Sequence, residues 1–459
     1  MLNMTGMQHL KLYSTGHVLY YPYRVMLKDI RLAEFLRELP RTLFTSIETG
    51  SLVRNAISRL GTKPGFIFSI GKAAREMRAG AFNAGLADVP AFCVSPSGRQ
   101  HPFAALTGHQ GTAFESGHPF PDEMSFQAAR AALSACSEIG SGMHVLALIS
   151  GGASALFELP LKGLSGADLR ASYVSLVSSG RTITEMNTIR RHLSGVKGGN
   201  LLRILLGRGA TVTVLALSDV PGDQPHDIGS GPFSPDPTRF SEALETASAI
   251  TGFPVQALRI LESGSAGMIP ETLKPECVPA GMHRFHCIMS PSRAARELAT
   301  LLGATDGLAH IGKPMSGSRL KWLDDLFSSI RADELPDGVW LIASGELEVP
   351  IPPGVTPGRG GRATSLVLDI ARRAAAESIA LDIAGIATDG ADGNSASGGG
   401  FLTAEDLKRF QADDLEAAAG SFDSATWLAA HDRLYEGFPT GTNLGDILLL
   451  RLRPREASR

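Results

Sequence analysis

The chain has 459 residues, with 43 Lys and Arg against 46 Asp and Glu, for a formal net charge of -3. This length exceeds what one hydrophobic core usually serves, so two domains are expected. A nearly neutral balance gives no extended field to attract nucleic acid or an anionic membrane, and neither is expected as a partner. The 43% hydrophobic content, with 51 Gly and 27 Pro, is typical of a globular α/β enzyme rich in turns.

The N-terminal segment and the cysteines give little indication of function. Residues 1–27 lack the compact apolar core of a signal peptide and are interpreted as an N-terminal extension. No apolar run reaches the roughly 20 residues of a membrane span. The four cysteines include no C-x-x-C pair, which favours free thiols in a reducing compartment. The protein is expected to be cytoplasmic, as a monomer or a homodimer.

Short apolar runs, each followed by a polar turn and usually by a helical pattern, recur along the chain. They lie at residues 65–70, 144–149, 211–217, 285–289, 338–343 and 379–387. Uninterrupted apolar strands of this kind, alternating with helices, predict a parallel sheet covered on both faces. Ligands of such sheets bind at the carboxyl ends of the strands. The expected fold is therefore α/β, with two domains that each have a mainly parallel sheet flanked by helices.

A segment rich in Gly, Pro and Ser, residues 262–285, predicts the boundary between the two domains. The boundary is placed so that residues 28–265 form the first domain and residues 266–459 form the second.

Lys72 follows Gly71 directly after the first predicted strand, at a predicted helix start. Backbone N–H groups and a cation at that position would attract an anion, although a surface lysine could also begin a helix there. The segment is not a P-loop, because Ala73 stands where that motif has Ser or Thr.

Small residues follow the next apolar strand: Ser150, Gly151, Gly152 and Ser154. They let backbone approach a ligand closely, but glycines at strand ends also arise simply to make tight turns.

A basic segment follows in the first domain. Arg190, Ser194 and Lys197 fall on one face if the segment is helical, and Gly198 and Gly199 come next. Such a face is either a solvated surface or a binding site for an anion.

The strand at 211–217 leads into a loop with many prolines and glycines, which no helix can traverse. Asp219 follows the strand immediately, and Asp223 follows a Pro-Gly turn. Either carboxylate suits Mg²⁺ or a general base, and either could instead cap a turn.

The second half contributes Glu346, Arg362 and Asp389, all near glycines. Residues 358–363 satisfy a loose G-x-G-x-x-A pattern, but no strand precedes them, so a dinucleotide fingerprint is rejected. Cations, glycine-rich loops and strand-end carboxylates together suit phosphoryl transfer, which depends on positioning and charge neutralisation.

Several motifs in this order resemble those of the class II glycerate kinases, whose C-terminal half is the MOFRL domain. They are GKAA (71–74), LISGGASALFELP (148–160), MNTIRRHLSGVKGGNLL (186–202), LSDVPGDQPHDIGSGPFSPDPT (217–238), TDGADG (388–393) and PTGTNLGDILLL (439–450). Members of this family are often named hydroxypyruvate reductases.

The resemblance implies ATP- and Mg²⁺-dependent phosphorylation of D-glycerate, usually at the 2-hydroxyl. It also implies a Rossmann-like first domain, a MOFRL-type second domain and an active site in the cleft between them. Lys72 and Arg362 match the family's GKA lysine and GGR arginine, which are thought to contact the substrate or the transferring phosphate. Arg362 and Arg190 would hold a carboxylate substrate. Ser150, Gly151, Gly152, Ser154, Lys197, Asp223, Glu346 and Asp389 are further candidates for binding, Asp219 is a candidate for catalysis, and Asp219 and Asp223 are candidates for the metal.

The second half departs from the family pattern at three places. The usual G-G-E-T-T-V-T-V reads SGELEVPI, G-G-R-N-Q-E reads GGRATS, and Pro-Thr-Asp reads Asn394-Ser395-Ala396. Loss of polar partners typically changes specificity strongly. The alternatives are therefore a kinase for another small sugar acid, a reductase, and a catalytically silent relative that binds a metabolite.

Overall fold

The computed structural model describes residues 32–97, 111–302, 309–352, 354–438 and 440–453. The predicted N-terminal extension, residues 1–27, lies outside these ranges. The described chain forms two sheets with flanking helices, which confirms the prediction of two α/β units. None of the described helices is long and apolar enough to cross a membrane.

The first sheet consists of six strands: β1 (Phe66–Ile70), β2 (Ala91–Pro96), β3 (Thr112–Ser116), β4 (His144–Ile149), β5 (Thr211–Leu217) and β6 (His283–Met289). All are parallel, in the order β3-β2-β1-β4-β5-β6. This is the strand order of a Rossmann fold, and it reverses between β1 and β4. Every side chain of β1 and β4 is buried, which explains their uninterrupted apolar sequences.

The helices of this half connect and cover the strands. They are α1 (Leu32–Ser46), α2 (Thr49–Ile57), α3 (Ala74–Ala81), α4 (Glu123–Ala135), α5 (Ala153–Leu156), α6 (Gly166–Ser178), α7 (Ile183–His192), α8 (Asn200–Gly207), α9 (Phe240–Ser248), α10 (Val255–Ser265) and α11 (Pro291–Leu301). A π-helical turn at Phe82–Leu86 follows α3, and short 3₁₀ turns lie at Cys136–Glu138, Pro221–Asp223, Ile228–Ser230 and Pro275–Cys277.

The second sheet consists of β7 (Ala309–Ile311), β8 (Met315–Ser318), β9 (Trp340–Glu348), β10 (Leu381–Ala387), β11 (Ser397–Leu402), β12 (Leu434–Glu436) and β13 (Asp446–Leu452). Its order is β12-β11-β10-β13-β9-β7, with β8 also paired to β9. The flanking helices are α12 (Arg319–Arg331), α13 (Arg362–Ala376), α14 (Ala404–Arg409), α15 (Ala412–Gly420) and α16 (Ser424–Ala430).

The prediction of a mainly parallel second sheet is wrong. Only β7 and β8 run parallel to their neighbour, and the pairs from β12 through β9 are antiparallel. Residues 388–396 alone join β10 to β11, which is too short for the crossover that parallel neighbours need. Strand β10 is fully buried and apolar apart from Asp382, whose carboxylate is paired with Arg451 at 2.8 Å.

The chain leaves the first sheet after β6, because β6 pairs with β5. The predicted boundary between residues 265 and 266 therefore precedes a strand that still belongs to the first sheet. The Gly- and Pro-rich segment that suggested the boundary joins α10 to β6. This edge strand is only partly buried, so its sequence gives a weaker strand signal than the central strands do.

One continuous cluster of buried side chains joins the two halves. It contains Leu36 of α1, Leu146 of β4, Leu298 of α11, Ile342 of β9 and Ile447 of β13. The two sheets therefore share this cluster, while two other large buried clusters lie within one half each.

We predict that Leu298→Ala destabilises both halves together, lowering the free energy of unfolding by about 3 kcal/mol through the cavity that it leaves. Urea unfolding should be followed by far-UV circular dichroism and by tryptophan fluorescence, since Trp322, Trp340 and Trp427 all lie in the second half. Both midpoints should fall together. Leu320→Ala, at a side chain that is 61% exposed, is the matched control. Separate transitions would contradict a shared core.

Candidate active site

The turns after β1 and β4 are hydrogen-bonded to each other. Lys72 N donates to Gly151 O at 2.8 Å, and Ala73 N donates to Ser150 Oγ at 3.0 Å. Both turns lie at the carboxyl ends of adjacent strands, where the strand order reverses. In open α/β sheets this switch point is where ligands bind.

Two glycines allow this close approach. A Cβ atom on Gly71 would lie 2.2 Å from Ser150 Oγ, and one on Gly152 would lie 2.8 Å from Lys72 Cγ. Both residues also have positive φ, +131° and +79°, which side chains rarely adopt. The glycines therefore let the two turns pack directly against each other, with backbone beside Lys72.

Asp219 packs over this glycine loop. A Cβ atom on Gly151 would lie 2.0 Å from Asp219 Oδ2. Burial, followed by the negative charge of Glu346, raises the pKa of Asp219 to about 6, and the positive charge of Lys72 opposes that rise. Asp219 is therefore close enough to both Lys72 and Glu346 to interact with their charges.

His118 lies on the other side of Lys72. Its Cδ2 would be 3.2 Å from a Cβ on Gly152. Burial, followed by the charge of Lys72, lowers the pKa of His118 to about 4, so the imidazole is neutral at pH 7.

The second half contributes Arg362, the first residue of α13. Its Nη1 and Nη2 each donate to a carboxylate oxygen of Glu346 at 2.9 Å, and its Nε donates to Asp446 Oδ2 at 2.9 Å. The side chain is still 41% exposed, and two of its five N–H groups take no part in these bonds. Arg362 is thus held in one orientation and can still bind a ligand.

Asp392 fixes the start of α13. Its carboxylate accepts hydrogen bonds from Ala363 N at 2.9 Å, Thr364 N at 2.8 Å and Thr364 Oγ1 at 2.5 Å. These N–H groups have no partner within the helix, and the negative charge also suits the positive end of the helix dipole. Asp392 therefore positions the helix from which Arg362 extends.

A loop before β13, residues 440–445, connects the two halves at the site. Thr49 Oγ1 donates to Gly441 O at 2.9 Å, and Asn443 Nδ2 approaches Asp219 Oδ2 at 3.4 Å. Thr388 holds the other end, since its Oγ1 donates to Gly445 O at 2.6 Å and accepts from Leu444 N at 2.8 Å.

The structure thus brings together most of the residues that the sequence singled out. Lys72, Ser150, Gly151, Gly152 and Asp219 come from the first sheet, and Glu346 and Arg362 come from the second.

Sequence reasoning missed His118, Asn443 and Asp446. Because β13 is antiparallel to β9 and β10, its amino end lies where those two strands end. A search limited to the carboxyl ends of parallel strands passes over this end. The polar cluster in PTGTNLGD, immediately before an apolar strand, is the signal that could have identified it.

Lys197 is predicted to take part in binding, but its side chain does not reach the cleft. It is fully buried, and its ammonium group contacts the Glu158 carboxylate, Ser154 O at 2.7 Å and the Tyr173 hydroxyl at 2.6 Å. These contacts use all three of its N–H groups. Lys197 instead anchors α5, the one-turn helix that follows the glycine loop, because its charge lies at a carbonyl of that turn.

Asp223 and Asp389 also lie outside the contacts described above. Asp223 is near the Cys287 thiol. Burial, followed by the negative charge of Asp223, raises the pKa of that thiol to about 11. Asp389 Oδ1 accepts from Ala391 N at 3.1 Å, as in a local turn. Within the described ranges, no three His, Cys, Asp or Glu side chains are arranged to hold a metal ion.

Two family models match the chain. The MOFRL family model matches residues 339–446, and the model of DUF4147, a domain of unknown function, matches residues 35–262. Together they cover strands β1 to β5 and β9 to β12, and the cleft residues.

Curated relatives and a solved structure match most of the chain. A glycerate 2-kinase of Pyrococcus horikoshii is 34% identical over 346 residues, covering 73% of this chain and 76% of that protein. A protein of Agrobacterium vitis named as a hydroxypyruvate reductase is 33% identical over 441 residues, covering 92% and 95%. The crystal structure of a glycerate kinase from Thermotoga maritima superposes with a TM-score of 0.77 at 25% identity, covering 92% of this chain and 100% of that one.

We predict that Asp392→Ala lowers the free energy of unfolding by about 3 kcal/mol, because it leaves buried N–H groups at the start of α13 without acceptors. Urea denaturation measures the loss. Asp325→Ala, at an exposed position in the middle of α12, is the control and should change the stability by less than about 0.5 kcal/mol. Equal stabilities for the two variants would contradict the capping role.

Proposed function

The chain belongs to the MOFRL-domain family of glycerate 2-kinases, and from this premise we propose that it phosphorylates D-glycerate with ATP. The product is a phosphoglycerate, with the phosphate on the 2-hydroxyl. The observation that carries the proposal is the meeting of Lys72, Asp219 and Arg362 beside the glycine loop, with both halves of the molecule contributing.

The glycine loop and Lys72 suit the phosphates of ATP. Side chains on Gly151 and Gly152 would collide with Asp219 and Lys72, respectively. Without them, phosphate oxygens can approach the backbone, and the ammonium group of Lys72 can offset the charge of the transferring phosphoryl group. Arg362, oriented by two carboxylates, supplies a second cation for the same charge or for the substrate carboxylate.

Asp219 is the proposed general base. In the reaction the substrate hydroxyl oxygen forms a bond to the γ-phosphorus, the bond from that phosphorus to the β-phosphate oxygen breaks, and ADP leaves. The hydroxyl proton passes to an oxygen of Asp219. A base whose pKa is about 6 is ionised at pH 7 and remains basic enough to accept that proton.

Mg²⁺ is the cofactor that such a transfer implies. When bound, it neutralises phosphate charge. Its usual protein ligands are one or two carboxylates, the remaining positions being filled by phosphate oxygens and water. The carboxylate of Asp219, next to the glycine loop, fits this donor set. Asp223, the other candidate carboxylate from the loop after β5, lies near Cys287 and outside the contacts of the site.

Two of the altered motifs support the framework of the site, which favours D-glycerate over another sugar acid. Ala363 and Thr364 are 1% and 0% exposed and belong to the start of α13. Asn394 bonds Gly358 O and Gly360 N, so it supports the loop before Arg362. These residues shape the framework of the site and leave its cations in place.

Two other functions fit the structure less well. A reductase needs a dinucleotide site, and the loose glycine pattern at 358–363 follows no strand within the described residues. A relative that binds a metabolite without catalysing a reaction would not need both Lys72 and Asp219 beside one glycine loop.

We predict that Lys72→Met and Arg362→Met each reduce kcat/KM at least about 100-fold, because each removes a cation from the developing phosphoryl charge. ADP release with ATP, Mg²⁺ and D-glycerate measures this, beside a panel of related acids and an NADH assay with hydroxypyruvate. Lys63→Met and Arg359→Met, at exposed positions, are matched controls. Turnover by the wild-type protein of another acid alone, or of none, would contradict the proposal.

We also predict that kcat/KM falls as the pH drops through about 6, because Asp219 must be ionised to accept a proton. Glu346 raises the pKa of Asp219, so Glu346→Gln should move the midpoint of this acidic limb to lower pH. The profile should be measured at several saturating Mg²⁺ concentrations. A midpoint that falls as Mg²⁺ rises would instead assign Asp219 to the metal, and an upward move in Glu346→Gln would contradict both roles.

A further inference from the structure

Three basic side chains near the start of the glycine-rich segment 195–199 are almost completely removed from solvent. Arg190 is 9% exposed, and Arg191 and Lys197 are 0% exposed. A buried cation is costly unless it is paired with an anion and its donors are satisfied. The partners of these three residues therefore show what each one does.

Two of the three have acidic partners. Arg191 Nη1 lies 2.8 Å from Asp227 Oδ1, and its Nε lies 2.9 Å from Asp236 Oδ1. Lys197 is paired with Glu158. Their charges are balanced inside the protein, as expected of residues that stabilise the fold.

Arg190 forms no ion pair with any residue in the described ranges. Its Nη1 donates to Asn187 Oδ1 at 3.2 Å, and its guanidinium lies 4.8 Å from the centre of the Tyr173 ring. Its Nε is buried and has no hydrogen-bond partner within the part of the chain that the structure describes. A guanidinium has five N–H groups, so Arg190 retains donors for a ligand.

The acids near Arg190 are already engaged. Glu158 is bound by Lys197, and the Asp227 carboxylate accepts from Arg191 at 2.8 Å and from Asn187 at 3.3 Å. Asn187 is a neutral relay between Arg190 and Asp227, which leaves the positive charge of Arg190 without an adjacent anion. A bound anion would supply the negative charge that Arg190 lacks beside it.

A chain of neutral polar groups links Arg190 to the glycine loop. Asn187 Oδ1 also accepts from Ser230 Oγ at 3.1 Å, and Ser230 Oγ lies 2.7 Å from Ser154 Oγ. Ser154 is two residues after Gly152, which lies against Lys72. This chain connects Arg190 to α5, the turn that follows the glycine loop.

We propose that Arg190 is the ligand for an oxyanion of the substrates, either the carboxylate of the hydroxy acid or a phosphate of the nucleotide. This proposal rests on the proposed function and deepens it. Arg362 is a poorer candidate for this role, because Glu346 and Asp446 already lie within 2.9 Å of its nitrogens. The two arginines then differ: Arg362 is oriented by two carboxylates and keeps two N–H donors for the site, whereas Arg190 carries uncompensated charge.

Equilibrium binding to Arg190→Gln tests the proposal without turnover. Calorimetric titrations of the wild-type protein and the variant use three probes: D-glycerate, the Mg²⁺ complex of a non-hydrolysable β,γ-imido analogue of ATP, and inorganic phosphate. We expect at least one probe to bind the variant about 10-fold or more weakly, and Arg190→Lys to recover part of the loss. Weaker binding of D-glycerate alone identifies the carboxylate, and weaker binding of the nucleotide analogue identifies a phosphate.

The stability of the unliganded variants separates binding from a structural role. Removing an unbalanced buried charge leaves the Tm of Arg190→Gln unchanged or higher, whereas Arg191→Gln breaks two buried ion pairs and lowers it clearly. The proposal is overturned if Arg190→Gln loses as much Tm as Arg191→Gln. It is also overturned if all three probes bind the variant as tightly as the wild type, or if the wild type binds none. If only the proposed function is wrong, the wild-type protein binds the probes but releases no ADP.

Discussion

The reversal of strand order between β1 and β4 is the constraint on which the site depends. The two strands are adjacent and parallel, and their connections leave in opposite directions, so a crevice opens at their carboxyl ends. The turns after them fill the crevice with backbone instead of side chains. Gly71 and Gly152 make this possible, because a Cβ atom at either position would collide with the opposite turn. Lys72 belongs to the first turn and packs against the second.

The second half completes the site from across the crevice. Strand β13 lies between β9 and β10 and is antiparallel to both, so its amino end lies beside their carboxyl ends. Asp446 at that end orients Arg362, while Asn443 in the preceding loop reaches Asp219. The shared cluster of buried side chains holds the two sheets together and so keeps these residues in contact.

The basic residues of this region differ in whether an acidic side chain balances their charge, and this difference separates their roles. Lys197 and Arg191 are balanced by buried acids and stabilise the framework. Arg362 is balanced by two carboxylates and remains partly exposed, as expected of a group that must be oriented and accessible. Lys72 and Arg190 have no comparable acidic partner among the described residues, and in our proposals the substrates supply the missing negative charge.

The sequence by itself determined four strands of the first sheet, the glycine loop and the positions of Lys72 and Asp219, but it did not indicate β2 and β3. These features depend on local signals, because a buried parallel strand needs a continuous apolar run and the residue after it is placed by the strand itself. Only the tertiary structure decided the antiparallel second sheet, the place of Asp446 and the buried pairing of Lys197. Strand direction depends on which distant strands become neighbours, and the role of a charged side chain depends on whether folding brings an opposite charge to it.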